Sequence, residues 1–600
     1  MLGTLNVLQP KIHIHPSEVV KDISARDFEG LNVTFVNMPL REKAVPNTTP
    51  EGPLLMATNL RRNYGVNATV IDLNAYRIQD GLAVERGLEN GRHLTDAETR
   101  KLIEKHFRVH ARPDVVALSG MITTLGWQKK IARMVKEILP EALLVSGGGL
   151  ATELRPTQLN PKGLFGYIPE LDAIAHSEGD DVILKIARDA KVTKERGWQS
   201  ALSSGKLNPY YYAEIDGRSR LVYAGDRPLN LDVFPWSDLS LLEEDINGYK
   251  ILENYLKTPV WGDPRTQNSS ATDFWMNRST TSVSSRGCPY SCAYCYRGAQ
   301  GEQKWGVRSA QHLSAEIREH VERYSIDFKG YPDDNFAVTR GRVVEMVPLF
   351  RELKEQGTYW GTHTRLDEAG GFIPKPGSGG KEFILERPLR VQLMAEAGCR
   401  YIGFGPESAS ATTLEALGKG GFTLHAGFMP VSVGGEVHWF PKAMVLGIMH
   451  TVLFGIHSNC TWIMGSPTET IEELKKTVRF ILWQIEYYDL QGIPPSAVNQ
   501  RMFTLTWYPG TKMIRHPKVR QRLSEVFGLT FIKTHPTREE YEPVFDDNFQ
   551  LYCLELDDAV KLLHDPRTGR PLHFSDMTDD EFIRARDYVD SGQISKILDM

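Results

Sequence analysis

The sequence predicts an α/β protein with three parts: an open α/β domain, a partial (β/α)6 barrel and a C-terminal helical domain. Three observations carry this prediction. From Leu31, short Val/Ile/Leu-rich runs alternate with helical periods, the pattern of a parallel sheet buried on both faces. From Thr280 a second series of strand–helix units begins, with small and charged residues clustered at the strand ends. Beyond about residue 516, helical periods such as DDEFIRARDYVDSGQISKIL dominate. The expected division is an N-terminal extension at 1–28, a first domain at 29–200, a connector at 201–275, the barrel at 276–515 and a helical cap at 516–600.

Bulk composition narrows the function classes. Six hundred residues exceed one ordinary core, and 41% hydrophobic with 24% charged residues describes a globular chain. A formal net charge of −5 offers no footprint for nucleic acid. The longest apolar stretch, Ala443 to Ile456, is interrupted by His450 and is too short for a membrane span, so a buried element is expected there. The opening MLGTLNVLQPKIHIHP lacks a basic start followed by an apolar core. Six cysteines in 600 residues is not the density of a disulfide scaffold. A cytoplasmic, reducing location is the expectation.

In the first domain, strands are expected at Leu31 to Pro39, at VNATVIDLNA, at Pro113 to Gly120, at Ala142 to Gly149 and at LDAIAHSEGDD. Helices are expected over Pro53 to Gly65, near Trp127 to Ile138, and through Val182 to Ala187. Ligands of such sheets bind beyond the carboxyl ends of the strands. The residues there are small and polar: Asn37 and Met38, Ser119, Gly120, Thr123 and Thr124, Gly147, Gly148 and Gly149, Glu178 and Gly179. These glycines either let a backbone approach a nucleotide-like cofactor or merely make turns. The G-x-G-x-x-G fingerprint of dinucleotide sites is not among them. In the connector, YYYAEIDGRSRLVYAG alternates around Asp216-Gly217 and predicts a hairpin.

The barrel opens with TTSVSSRG, which leads into CPYSCAYC. Cys288, Cys292 and Cys295 form a Cys-x3-Cys-x2-Cys triplet, whereas Cys399, Cys460 and Cys553 stand alone. Three thiolates on one loop can hold three irons of a [4Fe–4S] cluster and leave the fourth open for chemistry. Structural zinc normally takes four ligands, and no second pair lies nearby. Five further strands are expected, ending at Asp333-Asp334, near His363 and Arg365, at Glu407-Ser408, at Gly465 to Pro467, and at Pro509-Gly510. Helices are expected at Ala310 to Tyr324, Arg340 to Gln356, Arg387 to Gly398 and Thr470 to Tyr488. The reactive face of such a barrel is the C-terminal end of its strands, where these residues fall. Asp333 and Asp334 could instead cap a helix, and Glu407 could pair with Arg400 or Arg365. An apolar insertion at Gly420 to His450 either roofs the site or packs in the core.

The motifs CPYSCAYC, PDDNF, GPESAS, GSPTET and YPGT resemble those of radical S-adenosylmethionine (SAM) enzymes. The preceding VNMP, PEGPLLMATNLRRNYG, DVVALSGMITT, VSGGG and HSEGDD segments resemble the Rossmann-like cobalamin-binding domain of the cobalamin-dependent subgroup. That subgroup includes methyltransferases and the anaerobic magnesium-protoporphyrin ester cyclase. The Asp-x-His-x-x-Gly motif that gives cobalt a histidine is absent after the first strand. The resemblance implies cluster ligation by Cys288, Cys292 and Cys295, and SAM contacts from Tyr294, Asp333, Asp334, Arg365, Glu407 and Ser408. It implies cobalamin along the strand-end residues of the first domain named above. It further implies a C-methyltransferase acting on an unactivated carbon of a small hydrophobic or aromatic molecule in secondary (antibiotic) metabolism. A flavodoxin- or ferredoxin-type electron donor would serve it. The alternatives are a non-methylating radical enzyme such as an oxidative cyclase, and a non-enzymatic iron–sulfur protein.

Overall fold

The structure is a computed structural model. It describes residues 23–40, 47–76, 94–149, 163–258 apart from 206, 208, 210 and 226, 260–261, 276–295, 304–544 apart from 509, then 546, 548–549, 552 and 563–600. Cys553 lies outside them. The chain divides into two compact units, Met1–Tyr255 with Pro543–Ala559 and Leu256–Glu542 with Val560–Met600.

The first unit holds strands β1 (Asn32–Asn37), β2 (Asn67–Asp72), β3 (Val115–Ser119), β4 (Leu143–Gly147), β5 (Ala173–His176), β6 (Tyr211–Ile215) and β7 (Arg218–Ala224). Their order is β2-β1-β3-β4-β5-β7-β6. All neighbours are parallel except the β6–β7 pair. The 2-1-3-4-5 order is that of flavodoxin-like sheets, in which the crevice lies between β1 and β3. The hairpin at Asp216-Gly217 forms, with both residues at positive φ. It does not stand apart as a connector: β7 pairs with β5 and extends the first sheet. The longest helix that the sequence reading does not anticipate in this unit is Asp96–Val109, although its Thr95/Glu98 capping box is written in TDAE.

The second unit holds β8 (Ser279–Thr281), β9 (Ser285–Arg286), β10 (Gly306–Val307), β11 (Phe328–Tyr331), β12 (Tyr359–Thr364), β13 (Phe372–Pro374), β14 (Phe383–Leu385), β15 (Cys399–Glu407), β16 (Phe428–Val433), β17 (Glu436–Pro441), β18 (His457–Met464) and β19 (Met502–Thr504). Six of them form one all-parallel sheet in sequential order, β8-β11-β12-β15-β18-β19. This is the partial barrel. Helices Ala310–Tyr324, Arg340–Glu355, Arg390–Glu396 and Ile471–Leu490 lie between its strands in the chain. Each buries an apolar stripe against the sheet.

The segment Gly420 to His450 forms a short helix, the β16–β17 hairpin and the start of helix Lys442–Leu453. Its buried residues Phe440, Met444, Val445 and Ile448 join the main barrel core, so packing rather than roofing is its role. No helix among the described residues is long and apolar enough to cross a membrane. The C-terminal segment is only partly helical, since Phe531–Lys533 and Tyr541–Pro543 pair as a small sheet. Its later helices place Phe582, Ala585, Val589, Ile594 and Ile597 in the same core as the barrel.

One buried acid makes the fold pH-sensitive. Glu469 follows β18 with no exposed surface and accepts from Gly465 N at 2.6 Å, while its Oε1 has no partner. Burial pushes its carboxyl up to about 8. A raised pKa stabilises the fold fully below the unfolded value near 4.5, and that stability is lost as pH rises through 8. Glu469→Gln is therefore expected to flatten the fall in stability between pH 5 and 9 by on the order of a few kcal/mol, as read by thermal unfolding across that range.

Candidate active site

The cysteine loop is held at both ends by groups distant in sequence. On its approach, Asp333 accepts from Ser284 N at 2.8 Å, from Ser285 Oγ at 2.6 Å and from the Ser284 hydroxyl. Arg342 donates to Ser284 O at 2.9 Å and to Ser284 Oγ at 2.7 Å. Burial raises the Asp333 carboxyl, opposed by Arg342 and the serine donors. Gly287 N lies 3.3 Å from Asp334 Oδ2. At the far end, Ala293 N donates to Leu417 O at 2.8 Å and Met513 N to Ala293 O at 3.0 Å. Gly418, at φ +67°, is essential to this approach: a Cβ there would lie 3.2 Å from Ala293 N.

All three cysteines line one cavity of about 500 Å³ with Tyr290, Tyr294, Asp333, Asp334, His363, Arg365 and Glu407. All three are free thiols. Among the described residues, no three His, Cys, Asp or Glu side chains converge as ligands of a single metal ion. A [4Fe–4S] cluster makes no such demand, because each cysteine binds a different iron. Burial, with the neighbouring cysteines adding to it, pushes the Cys288 thiol up to about 12. Such a thiol is deprotonated when a metal takes the proton's place. The loop therefore fits a cluster.

Tyr294, Glu407 and Lys419 form a buried polar block beside the loop. Tyr294 Oη donates to Glu407 Oε1 at 2.8 Å, and Lys419 Nζ lies 3.3 Å from Glu407 and 3.4 Å from Tyr294 Oη. Lys419 also donates to Gly405 O. Burial and the Glu407 charge hold the Tyr294 phenol well above its ordinary range, so it stays a donor. Glu407 sits at φ +67°, a conformation that costs a non-glycine residue about 1–3 kcal/mol. Gly405 makes room for it, since a Cβ there would lie 2.4 Å from Glu407 Oε1. Gly403 does the same for His363, whose Cδ2 would lie 2.3 Å from that Cβ. His363 lies edge-on to Trp261 at 5.2 Å, and burial pulls its pKa down to about 4, so it is neutral near pH 7.

Arg365 follows β12 and is locked on several sides. Its Nε donates to Asp367 at 2.9 Å, its guanidinium lies 4.2 Å over the Tyr290 ring, and Nη1 is 3.9 Å from Cys292 Sγ. Thr423 Oγ1 bridges to the same Asp367 carboxylate at 2.6 Å.

Two expected SAM residues are engaged elsewhere. Ser408 is fully buried against Thr477 at 3.0 Å and does not line the cavity. Asp333 spends its carboxylate on the two serines of the cysteine loop. Several cavity residues were not legible in the sequence: Trp261, stacked 4.6 Å from Tyr401, together with Lys419, Asn459 and Arg501. Trp261 falls inside the expected connector, and only the fold brings it to the barrel.

In the first unit, several of the expected residues meet at the ends of β1, β3 and β4. Met38 N donates to Ser119 O at 3.0 Å. A Cβ on Gly120 would lie 2.3 Å from Thr124 Oγ1 and 2.7 Å from Gln128 Nε2. Gly148, at φ +80°, would put a Cβ 2.8 Å from Gly120 O. Thr123 Oγ1 and Gln128 Nε2 are buried without a partner, and such orphans cost about 1–3 kcal/mol each unless a ligand meets them. Gly147 ends β4 with Gly149 just beyond it. Other expected residues are committed within the protein. Asn37 Nδ2 donates to Asp72 at 2.8 Å, and Arg227 Nη2 pairs with Glu178 at 2.6 Å. Gly179 accommodates Met56, whose sulfur would lie 2.8 Å from a Cβ there.

A six-stranded parallel half-barrel with a three-cysteine loop in its cavity defines the class. No protein-family model matches the chain. An uncharacterized methyltransferase of Pyrococcus horikoshii is 23% identical over 486 residues, 78% of this chain and 79% of its own. The anaerobic magnesium-protoporphyrin IX monomethyl ester cyclase of Rubrivivax gelatinosus is 23% identical over 329 residues, 54% of this chain and 50% of its own. Among solved structures, the radical SAM methyltransferase TsrM of Kitasatospora setae, with cobalamin and a [4Fe–4S] cluster bound, matches with a TM-score of 0.54 at 13% identity. That match covers 91% of this chain and 88% of the other. The fold is thus shared with cobalamin-dependent radical SAM enzymes, and the resemblance read from the motifs holds at that level.

Proposed function

We propose that the chain is a cobalamin-dependent radical SAM C-methyltransferase. The observation that carries the reading is the sharing of one cavity by Cys288, Cys292 and Cys295 with the Tyr294–Glu407–Lys419 block. When bound, the cluster, SAM and cobalamin supply an electron, a hydrogen-abstracting adenosyl radical and a transferable methyl group. The three cysteines hold the cluster. Glu407, paired with Lys419, and the exposed Asp334 receive the polar groups of SAM, and Tyr294 bounds the adenine. Met38, Ser119, Gly120, Thr123 and Thr124, with Gly147 to Gly149, line the corrinoid crevice. Trp261, Tyr401, Phe404 and Phe503 give the cavity an apolar wall that keeps water from radicals and suits a hydrophobic or aromatic acceptor in secondary metabolism. Electrons come from an external flavodoxin- or ferredoxin-type donor.

The cyclase relative favours a second reading, the same apparatus used without methyl transfer. Anaerobic reconstitution with cobalamin and SAM, followed by mass spectrometry, separates the two. Methyl transfer yields S-adenosylhomocysteine together with 5′-deoxyadenosine, and non-methylating radical chemistry yields only the latter. Failure to bind corrinoid would overturn the leading reading and leave SAM cleavage standing.

A further inference from the structure

From the surroundings of Arg365 we infer that this side chain is a fixed positive charge that sets the reduction potential of the cluster through Cys292, rather than a ligand of SAM. The inference rests on the cluster reading above. Its basis is geometric. The guanidinium is 3.9 Å from Cys292 Sγ and stacks 4.2 Å over Tyr290, which lies between Cys288 and Cys292 in the loop. Its Nε donates to Asp367 at 2.9 Å, and its Nη2 donates to the same carboxylate and to Thr423 at 3.4 Å. Arg365 and Asp367 are both buried, at 9% and 2% side-chain exposure. Two of the three guanidinium nitrogens are thereby committed within the protein, and the third, Nη1, is the one directed at the sulfur.

The supports around it are themselves tied down. Tyr290 Oη donates to Glu368 Oε1 at 2.9 Å, and Glu368 also accepts from Asn335 at 3.0 Å and Thr364 at 2.7 Å. The ring under the guanidinium is therefore fixed from β12 and from the loop after β11, and the charge cannot swing away.

Reduction adds one negative charge to a cluster that three thiolates already make anionic. A cation held in a buried site at this distance favours the reduced form, because little water screens it. Asp367 offsets part of that effect. The two residues thus act on the potential with opposite signs, a signature that simple structural support does not produce.

The test is an EPR-monitored dithionite or Ti(III) titration of the reconstituted full chain, with SAM affinity measured in parallel. Arg365→Gln is expected to lower the potential, Arg365→Lys to restore part of it, and Asp367→Asn to raise it. SAM affinity is expected to change less than about threefold in each. Loss of SAM affinity with an unchanged potential in Arg365→Gln would overturn the inference and make Arg365 a SAM ligand. Equal downward shifts in Arg365→Gln and Asp367→Asn would overturn it in favour of a packing role. Should Arg365→Gln take up no iron, the Lys and Asn variants still carry the sign test. Absence of any [4Fe–4S] signal in the unsubstituted protein would instead defeat the cluster reading.

Discussion

Cys292→Ala is expected to abolish the cluster's visible absorbance and EPR signal and to reduce 5′-deoxyadenosine formation by ~10³-fold or more, since no remaining group can deliver an electron to SAM. Cys292 is the buried middle cysteine of the loop, at 8% exposure, and it faces the cavity with Cys288 and Cys295. The comparison that gives the result meaning is Cys399→Ala or Cys460→Ala. Those thiols are buried on β15 and β18, outside the cavity lining, and burial pushes both up. Removing either should leave cluster content and SAM cleavage near normal, with a stability loss of ~1–2 kcal/mol from lost packing. Iron and sulfide analysis of the three variants checks the contrast. Equal iron content in all of them would remove the cluster from this loop.

Glu316→Leu is expected to destabilise the barrel unit by about 3–5 kcal/mol, the cost of breaking a buried ion pair and leaving cations unpaired. Glu316 is fully buried and paired with Lys329 at 3.1 Å and Arg308 at 2.8 Å, and it accepts from Ser282 at 3.0 Å. Burial works against its charge, but Arg308 and Lys329 hold the carboxyl well below its usual range. A depressed pKa means stability that is present above the unfolded value and lost as pH falls, so the pair survives into strong acid. Lys329→Met should cost less, because Glu316 keeps Arg308. The Glu316→Leu effect should also reach the cysteine loop, since Ser282 and Ser284 hang from this network through Glu316 and Arg308 N. Denaturant unfolding followed by a barrel tryptophan, beside iron content after reconstitution, reads both effects.

Much of the fold was legible because periodicity is local. The helix Ala310–Tyr324 has the expected bounds, and four of the six barrel strands fall inside their expected segments, while Ser279–Thr281 and His457–Met464 each begin one residue before theirs. The cysteine spacing was legible for the same reason, since a loop ligand set is contiguous in sequence. The helix Asp96–Val109 was missed even though its capping signal was present. Part of the expected connector belongs to the first sheet because strand pairing is not local: β7 looks like any hairpin strand until it finds β5.

The site was harder to read than the fold. Strand-end position marks a residue as near the reactive face, but the direction of its side chain depends on register. In β15 the pairing with β18 is irregular between Phe404 and Glu407, and Glu407 takes a positive φ. Such an irregularity re-aims side chains, so Glu407 faces the cavity while Ser408 turns to Thr477. A period-two reading cannot place that switch.

The sequence by itself therefore determined the two parallel α/β sheets, the three-cysteine loop and the small strand-end residues, all of which follow from local spacing and residue type. Only the tertiary structure decided that Arg365 meets Cys292 across 73 residues, that Asp333 serves the loop's serines, and that Trp261 and Lys419 join the cavity. The reason is physical. Backbone preference and burial are written in short windows, whereas the partner of a charge is set by which distant strands pack side by side.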